Sequence, residues 1–173
     1  MYRDAKWAVL ESPGACPRGW LVHDVVVEPD RDRVYARLKD AAFDPRRIAM
    51  LSDAPGSAIS AGSATNDQVA FDVYEPRRIE MRVHSETRAL LVLSEMNYPG
   101  WNVRVNGQTV PTYRADGMLR ALVAPAGDSR VTLRYAPGSF LAGAILSVLT
   151  LVVALAIAAY FALTEKSRQG ETQ

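Results

Sequence analysis

The densest group of residues able to do chemistry is the run Ser94-Glu95-Met96-Asn97-Tyr98-Pro99-Gly100-Trp101. A carboxylate beside aromatic rings suits a carbohydrate, because the rings stack on the apolar faces of a sugar while the carboxylate accepts from its hydroxyls. The same residues also suit a hairpin corner, with Pro99-Gly100 turning the chain and Trp101 filling a core. Trp101, Val103 and Val105 alternate with Asn102 and Arg104, which puts the indole on the apolar face; Tyr98 is freer to be exposed. A second polar group, Arg114, Asp116 and Arg120, is expected to surround a loop. It reads either as a solvated or salt-bridged loop, or as a contact for anionic headgroups, a lipid phosphate or another part of a membrane protein. Arg130 and Arg134 face a similar choice, since basic residues beside a bilayer gain about 1 kcal/mol each from anionic lipid.

Other chemistries have little support. Lys plus Arg number 20 and Asp plus Glu 19, a formal charge of +1, so there is no basic excess of the kind a nucleic-acid surface shows. Cys16 is the single cysteine, which excludes an intrachain disulfide and a multi-cysteine zinc site. His23 and His84 lack ligand spacing, and neither a metal nor a cofactor is expected. There is no nucleotide-binding glycine loop, nucleophile elbow or zinc-protease motif. Glu75, Glu80, Glu86 and Glu95 are scattered along strand-like stretches, and sequence alone does not bring two of them to the separation glycosidic chemistry needs.

The elements that would position these residues are mostly strands. Trp20 to Val27 is rich in β-branched residues and ends at Pro29; Asp30 is placed to cap a short helix through Leu38; Ile48 to Leu51 reads as another strand. Residues 53–67 shift to Gly, Ala, Ser and Pro and are expected to form a flexible loop between an N-terminal part, 1–52, and a sandwich core, 68–136. Val69, Phe71 and Val73 alternate with polar neighbours, as do Ile79, Met81 and Val83, while Ala89 to Leu93 is apolar throughout, as for a strand buried on both faces. Asn106-Gly107 is the strongest type I′ hairpin signal, with a return strand expected at Thr109 to Tyr113. Met118 to Ala124 and Arg130 to Tyr135 complete seven or so strands. The pattern argues for a mainly β fold, an antiparallel β-sandwich or jelly-roll-like domain, followed by one C-terminal transmembrane helix.

That helix is the clearest single feature. Phe140 to Leu163 carries no charge, and at about 1.5 Å per residue it would be roughly 36 Å long, enough to cross a hydrocarbon core of about 30 Å. Its expected extent is 139–164, with 165–173 as a tail that includes Lys166 and Arg168. The first 20 residues lack the apolar core of a secretory signal, so the chain is expected either to insert tail-first or to be a piece of a longer protein whose earlier spans carry the domain across.

Several of these residues, taken in order, resemble the C-terminal region of YfhO-type bacterial membrane proteins. They are Leu91-Val92-Leu93-Ser94-Glu95, Tyr98-Pro99-Gly100-Trp101, Val105-Asn106-Gly107, Pro111, Tyr113-Arg114-Ala115, Arg120, Pro125-Ala126-Gly127, Val131, Arg134-Tyr135, Pro137, Ser139-Phe140 and Gly143. Pro17 to Val22 and Phe43 to Arg46 look like segments of the same family. Such proteins are multi-spanning and GT-C-like, that is, membrane glycosyltransferases that use polyprenyl-phosphate sugars at the outer face. The resemblance implies an extracytoplasmic sandwich followed by a late membrane helix whose C-terminus is cytoplasmic. The acidic catalytic residue of GT-C enzymes lies in an early loop that nothing here matches, so no catalytic role carries over. Asn106-Gly107 stands where the family usually has Asp-Gly. Gly117-Met118-Leu119 replaces an aromatic pair, which weakens a sugar-stacking role for that loop.

Two main functions follow as expectations. In the first, the chain is a non-catalytic accessory module of a polyprenyl-phosphate-sugar-dependent glycosyltransferase of cell-envelope glycan modification, contacting glycan or a partner through Glu95, Tyr98, Trp101, Arg114, Asp116 and Arg120. Glycan binding would then be lost on Tyr98→Ala or Arg120→Ala without loss of folding. In the second, the sandwich packs against the remaining transmembrane part of the same protein or a partner, touches no sugar, and shows an exposed apolar patch. A third reading, a complete tail-anchored protein with a cytoplasmic domain, differs from both in topology. In all of them the lipid bilayer is a partner.

Overall fold

The computed structural model describes residues 2–3, 8–9, 12, 14–60 and 66–170. They divide into two compact units, one ending at Tyr135 and the other beginning at Ala136.

The first unit is built on two sheets. After a two-residue ribbon, β1 (Tyr2–Arg3) with β2 (Ala8–Val9), come β3 (Gly19–Val22), β4 (Asp24–Val27), helix α1 (Arg31–Leu38) and β5 (Ile48–Leu51). The remaining strands are β6 (Gln68–Glu75), β7 (Arg78–Ser85), β8 (Ala89–Met96), β9 (Trp101–Val105), β10 (Gln108–Thr109), β11 (Tyr113–Ala115), β12 (Leu119–Ala124) and β13 (Gly127–Tyr135). One sheet has five strands in the order β10-β9-β13-β7-β6; the other has six, β3-β8-β12-β11-β5-β4. The fold is therefore the expected β-sandwich, with more strands than the pattern suggested.

Two details depart from the sequence reading. The stretch from Trp20 to Val27 is broken at His23, whose buried ring meets Asp67 Oδ2 at 2.7 Å, while Asp67 Oδ1 accepts from Ser85 Oγ at 2.9 Å. Beyond the break, β4 runs parallel to β5, the one parallel pair in an otherwise antiparallel sheet. A parallel pair needs a crossover, and α1 supplies it. Its start is fixed by Asp30, whose side chain accepts from the Asp32 and Arg33 amides as anticipated, and Val34 is its buried residue.

The second departure is the return strand of the Asn106-Gly107 hairpin. Both turn residues take positive φ, 51° and 83°, as a type I′ turn requires. The return strand β10, however, pairs with β9 for only two residues. The chain then leaves that sheet through Val110-Pro111-Thr112, and Tyr113–Ala115 joins the other sheet as β11. Pro111 has no amide hydrogen to give a ladder, which is where a strand switches partners.

The core lies between the sheets. Leu21, Leu91, Leu93 and Leu122 from one sheet meet Ile79, Met81, Val83, Val103, Val131 and Leu133 from the other, with Phe71 and Trp101 packed at the margin. The six-stranded sheet is buried on its second face as well, where Trp20, Val22, Leu51, Leu90, Val92 and Ala121 pack with Cys16, Ile59 and Tyr113. This explains the unbroken apolar run of β8, since each fully buried Leu or Val contributes about 1.5–3 kcal/mol and neither face of that strand meets water.

The second unit is helix α2, Gly138–Gly170. Its span-forming part is Gly138–Ala158, starting two residues before the uncharged run, and the helix continues without a break through Lys166 and Arg168. The side chains of residues 142–158 are exposed. Such an all-round apolar surface fits hydrocarbon, where a helix satisfies its own backbone. Thr150 returns its hydroxyl to the Leu146 carbonyl at 2.9 Å, so this polar side chain is satisfied within the helix.

Candidate functional site

The candidate site lies at the end of the sandwich where β8, β9, β12 and β13 converge. Glu95 is near the end of β8, Tyr98-Pro99-Gly100 forms the turn into β9, and Trp101 begins β9. Tyr135, at the end of β13, is the Cα partner of Trp101 across the ladder. The three aromatic rings make a cluster, with centroids 6.4 Å apart for Tyr98–Trp101, 5.8 Å for Tyr98–Tyr135 and 5.4 Å for Trp101–Tyr135. Gly100, at φ 98°, provides the left-handed residue the turn needs. Trp101 is partly buried against the core, and Tyr98 is 45% exposed, as their positions in the pattern suggested.

Arg120 lies beneath these rings. It was expected beside a loop, but its side chain is only 1% exposed. It alternates along β12 with Leu122 and Ala124, which face the core between the sheets, so the strand period carries it inward. A register shift between Leu119 and Arg120 marks its entry into the sheet. Its Cζ lies 4.8 Å from the Trp101 centroid and 5.7 Å from that of Tyr98. Nη2 donates to the Met96 carbonyl at 2.8 Å, while Nε and Nη1, like the indole Nε1 of Trp101, are buried without an acceptor. Burial lowers the pKa of the guanidinium, opposed by the Tyr98 hydroxyl and the Glu95 carboxylate.

Glu95 reaches a different partner. The Tyr74 hydroxyl on β6 donates to it, and Arg18 Nη1 donates to that same hydroxyl at 2.6 Å, with the Arg18 guanidinium 4.4 Å over the Tyr74 ring. The carboxylate raises the phenol pKa of Tyr74, because ionising the phenol would break the hydrogen bond and set two anions together. Arg18, Tyr74 and Tyr135 thus belong to the site, although sequence reading did not group them with it. Tyr135 and Arg18 stood only in segments that resemble the family, with no sign of a shared site, and Tyr74 had no local signal.

Arg114 and Asp116 do not join this group. Arg114 is the Cα partner of Arg120 across the β11–β12 ladder but is exposed. Asp116 is buried, at 5% exposure, in the tight turn between those strands, where Asp116 and Gly117 take φ of 50° and 82°. Its Oδ1 accepts from the Met50 amide at 2.9 Å and its Oδ2 has no partner. Burial raises its pKa, partly offset by that amide. The three residues therefore do not form the polar loop cluster that was expected. Asp116-Gly117 is itself a hairpin dipeptide, a signal the sequence reading passed over. Arg130 pairs with Glu80 at 2.9 Å on the outer face of the five-stranded sheet, and Arg78 pairs with the same carboxylate at 2.7 Å.

A two-sheet β domain with an aromatic cluster over a buried arginine, joined to a helix long and apolar enough to span a bilayer, defines a membrane protein with a sandwich module. A family model described as bacterial membrane protein YfhO matches residues 59–147, just over half of the chain, and the chain belongs to that family. The match takes in Glu95, Tyr98, Trp101, Arg114, Asp116 and Arg120, and extends into α2. Searches of curated proteins and of solved structures return no match.

Proposed function

We propose that this chain is a non-catalytic, membrane-anchored module of a YfhO-family glycosyltransferase that uses polyprenyl-phosphate sugars, and that its sandwich contacts glycan through the aromatic end of the fold. The observation that carries the reading is the half-exposed Tyr98 ring, set against Trp101 and Tyr135, with Glu95 shortly before it in the chain near the end of β8. A ring held by two others offers a rigid stacking surface at little entropic cost, and Glu95 is an acceptor for sugar hydroxyls. The module stands outside the membrane in this reading, with the end of α2 at the cytoplasmic side.

The test is binding of purified full-length chain in detergent micelles to envelope polysaccharide. Tyr98→Ala is expected to abolish binding while leaving the circular dichroism spectrum intact. An unchanged affinity, or no binding by the parent chain, would refute the reading. Arg120→Ala, which looked equally suitable from sequence, is a poor probe because it empties a buried site.

A second reading is favoured by one observation. Met96, the last residue of β8, and Met118, in the turn before β12, are 61% and 48% exposed, and the Asn97 amide donates to the Met118 carbonyl. With Tyr98 they offer an apolar patch of the kind that packs on another part of a membrane protein. Protection of Met96 and Met118 from oxidation in the assembled membrane protein, with no effect of Tyr98→Ala on glycan transfer, would support it.

A further inference from the structure

We infer that Arg120 and Trp101 form a closed receptor for a phosphate oxyanion, uncovered by movement of Tyr98. The inference deepens the glycan-binding reading and rests on the same end of the sandwich. Three buried nitrogens, Arg120 Nε, Arg120 Nη1 and Trp101 Nε1, have hydrogens to give and no acceptor. They belong to side chains in contact, the guanidinium carbon being 4.8 Å from the indole centroid. Native proteins leave few such donors unpaired, and a guanidinium and an indole can only donate, so the missing group is an acceptor.

The group nearest in kind does not fill the role. Glu95 acts on Arg120 through space, but its carboxylate is engaged by the Tyr74 hydroxyl, which Arg18 in turn supports. The one side-chain hydrogen bond of Arg120 is to a neutral carbonyl, that of Met96. A buried cation with one neutral acceptor matches an anion that brings several oxygens, and planar guanidinium donors suit phosphate geometry. The two neighbouring rings differ: Trp101 is held in the ladder opposite Tyr135, whereas Tyr98, before Pro99, lies outside any strand and is half-exposed. Rotation of the Tyr98 ring would open the donors without disturbing either sheet. The phosphate can belong to a lipid or be free in solution, and the chemistry is the same.

The experiment uses the full chain in phosphate-free maltoside micelles, with the arginine Nε–H and indole N–H signals followed by ¹⁵N-resolved NMR. Inorganic phosphate and short-chain dihexanoyl phosphatidic acid are titrated separately. Saturable shifts of the Arg120 and Trp101 signals with either are the expected result. A response to the lipid alone assigns the site to a headgroup, and a response to inorganic phosphate assigns it to a free anion. Trp101→Phe keeps a ring and removes one donor, and is expected to weaken binding roughly tenfold; Arg120→Met is expected to abolish it. Unmoved signals in the parent chain, or equal binding by a folded Trp101→Phe variant, would assign the donors to solvent and overturn the inference. Polysaccharide binding without a phosphate response sinks this inference alone, and a phosphate response without polysaccharide binding sinks only the glycan reading.

Discussion

The guanidinium of Arg120 stacks over the Trp101 indole at 4.8 Å while two of its three nitrogens go without an acceptor. The stacking is favourable, by about 0.5–2 kcal/mol. It is set against the desolvation of a charge that has no counter-ion in contact, which is larger. Arg120 is therefore expected to lower the stability of the domain it sits in. Arg120→Met, close in volume and apolar, should unfold at the same or a higher temperature, by up to about 1–3 kcal/mol of added stability. Chemical denaturation of the two proteins is the check; a loss above about 2 kcal/mol would show the charge to be structural.

Tyr98→Ala should behave differently. The ring is half-exposed and outside the strands, so its removal is expected to cost only about 1 kcal/mol or less, while polysaccharide binding is lost. Denaturation and binding measured on one preparation separate the two effects.

Asp116 gives a pH dependence of its own. Its carboxyl pKa is raised by burial, so the native state keeps the proton over a range where the unfolded chain has released it. Stability from this group is greatest below the unfolded pKa of about 3.9 and falls as pH rises through the folded value. Asp116→Asn retains an acceptor for the Met50 amide and tolerates φ of 50°. It should stabilise the protein at neutral pH by about 1 kcal/mol, with the gain vanishing in acid. A gain that persists at low pH would exclude ionisation as the cause.

Glu80 acts in the opposite sense. Hydrogen bonds from Arg78 and Arg130 lower its pKa, so its contribution is present above the unfolded carboxylate pKa and is lost as pH falls through the folded value. Glu80→Gln should flatten the acid limb of the stability curve and leave its neutral-to-alkaline part parallel to that of the parent.

The two tight turns should respond unequally to alanine. At Gly107 a Cβ would meet nothing within 4 Å, leaving only the backbone cost of φ +83°, about 1 kcal/mol. At Gly117, with φ +82°, it would also lie 2.9 Å from Tyr35 Cε1 on α1. Gly117→Ala is expected to lose about 2–3 kcal/mol in a melting experiment.

What could be read from the sequence was mostly what repeats locally. The alternation of Ile79, Met81 and Val83, the apolar run Ala89 to Leu93, the Asn106-Gly107 turn and the Asp30 cap each have a short-range physical cause, and each is found in place. The family resemblance rested on such local blocks too. Arg120 was misplaced because its charge outweighed its position, although Arg120, Leu122 and Ala124 share the inward register of one strand. Pairings set by topology left no such mark. The parallel β4–β5 edge, the passage of the chain between sheets at Pro111, and the meeting of Arg18, Tyr74 and Glu95 all join residues that only the folded chain brings together.

The strand that leads to the membrane helix has one further consequence. β13 is the middle strand of its sheet, zipped to β7 along one side and to β9 along the other, and only Ala136 and Pro137 separate it from α2. A pull along this strand from its C-terminal end would load both ladders in shear, so that many hydrogen bonds resist together instead of breaking one at a time. A load entering at the end of β13 would thus be shared across the five-stranded sheet before any edge strand could peel away.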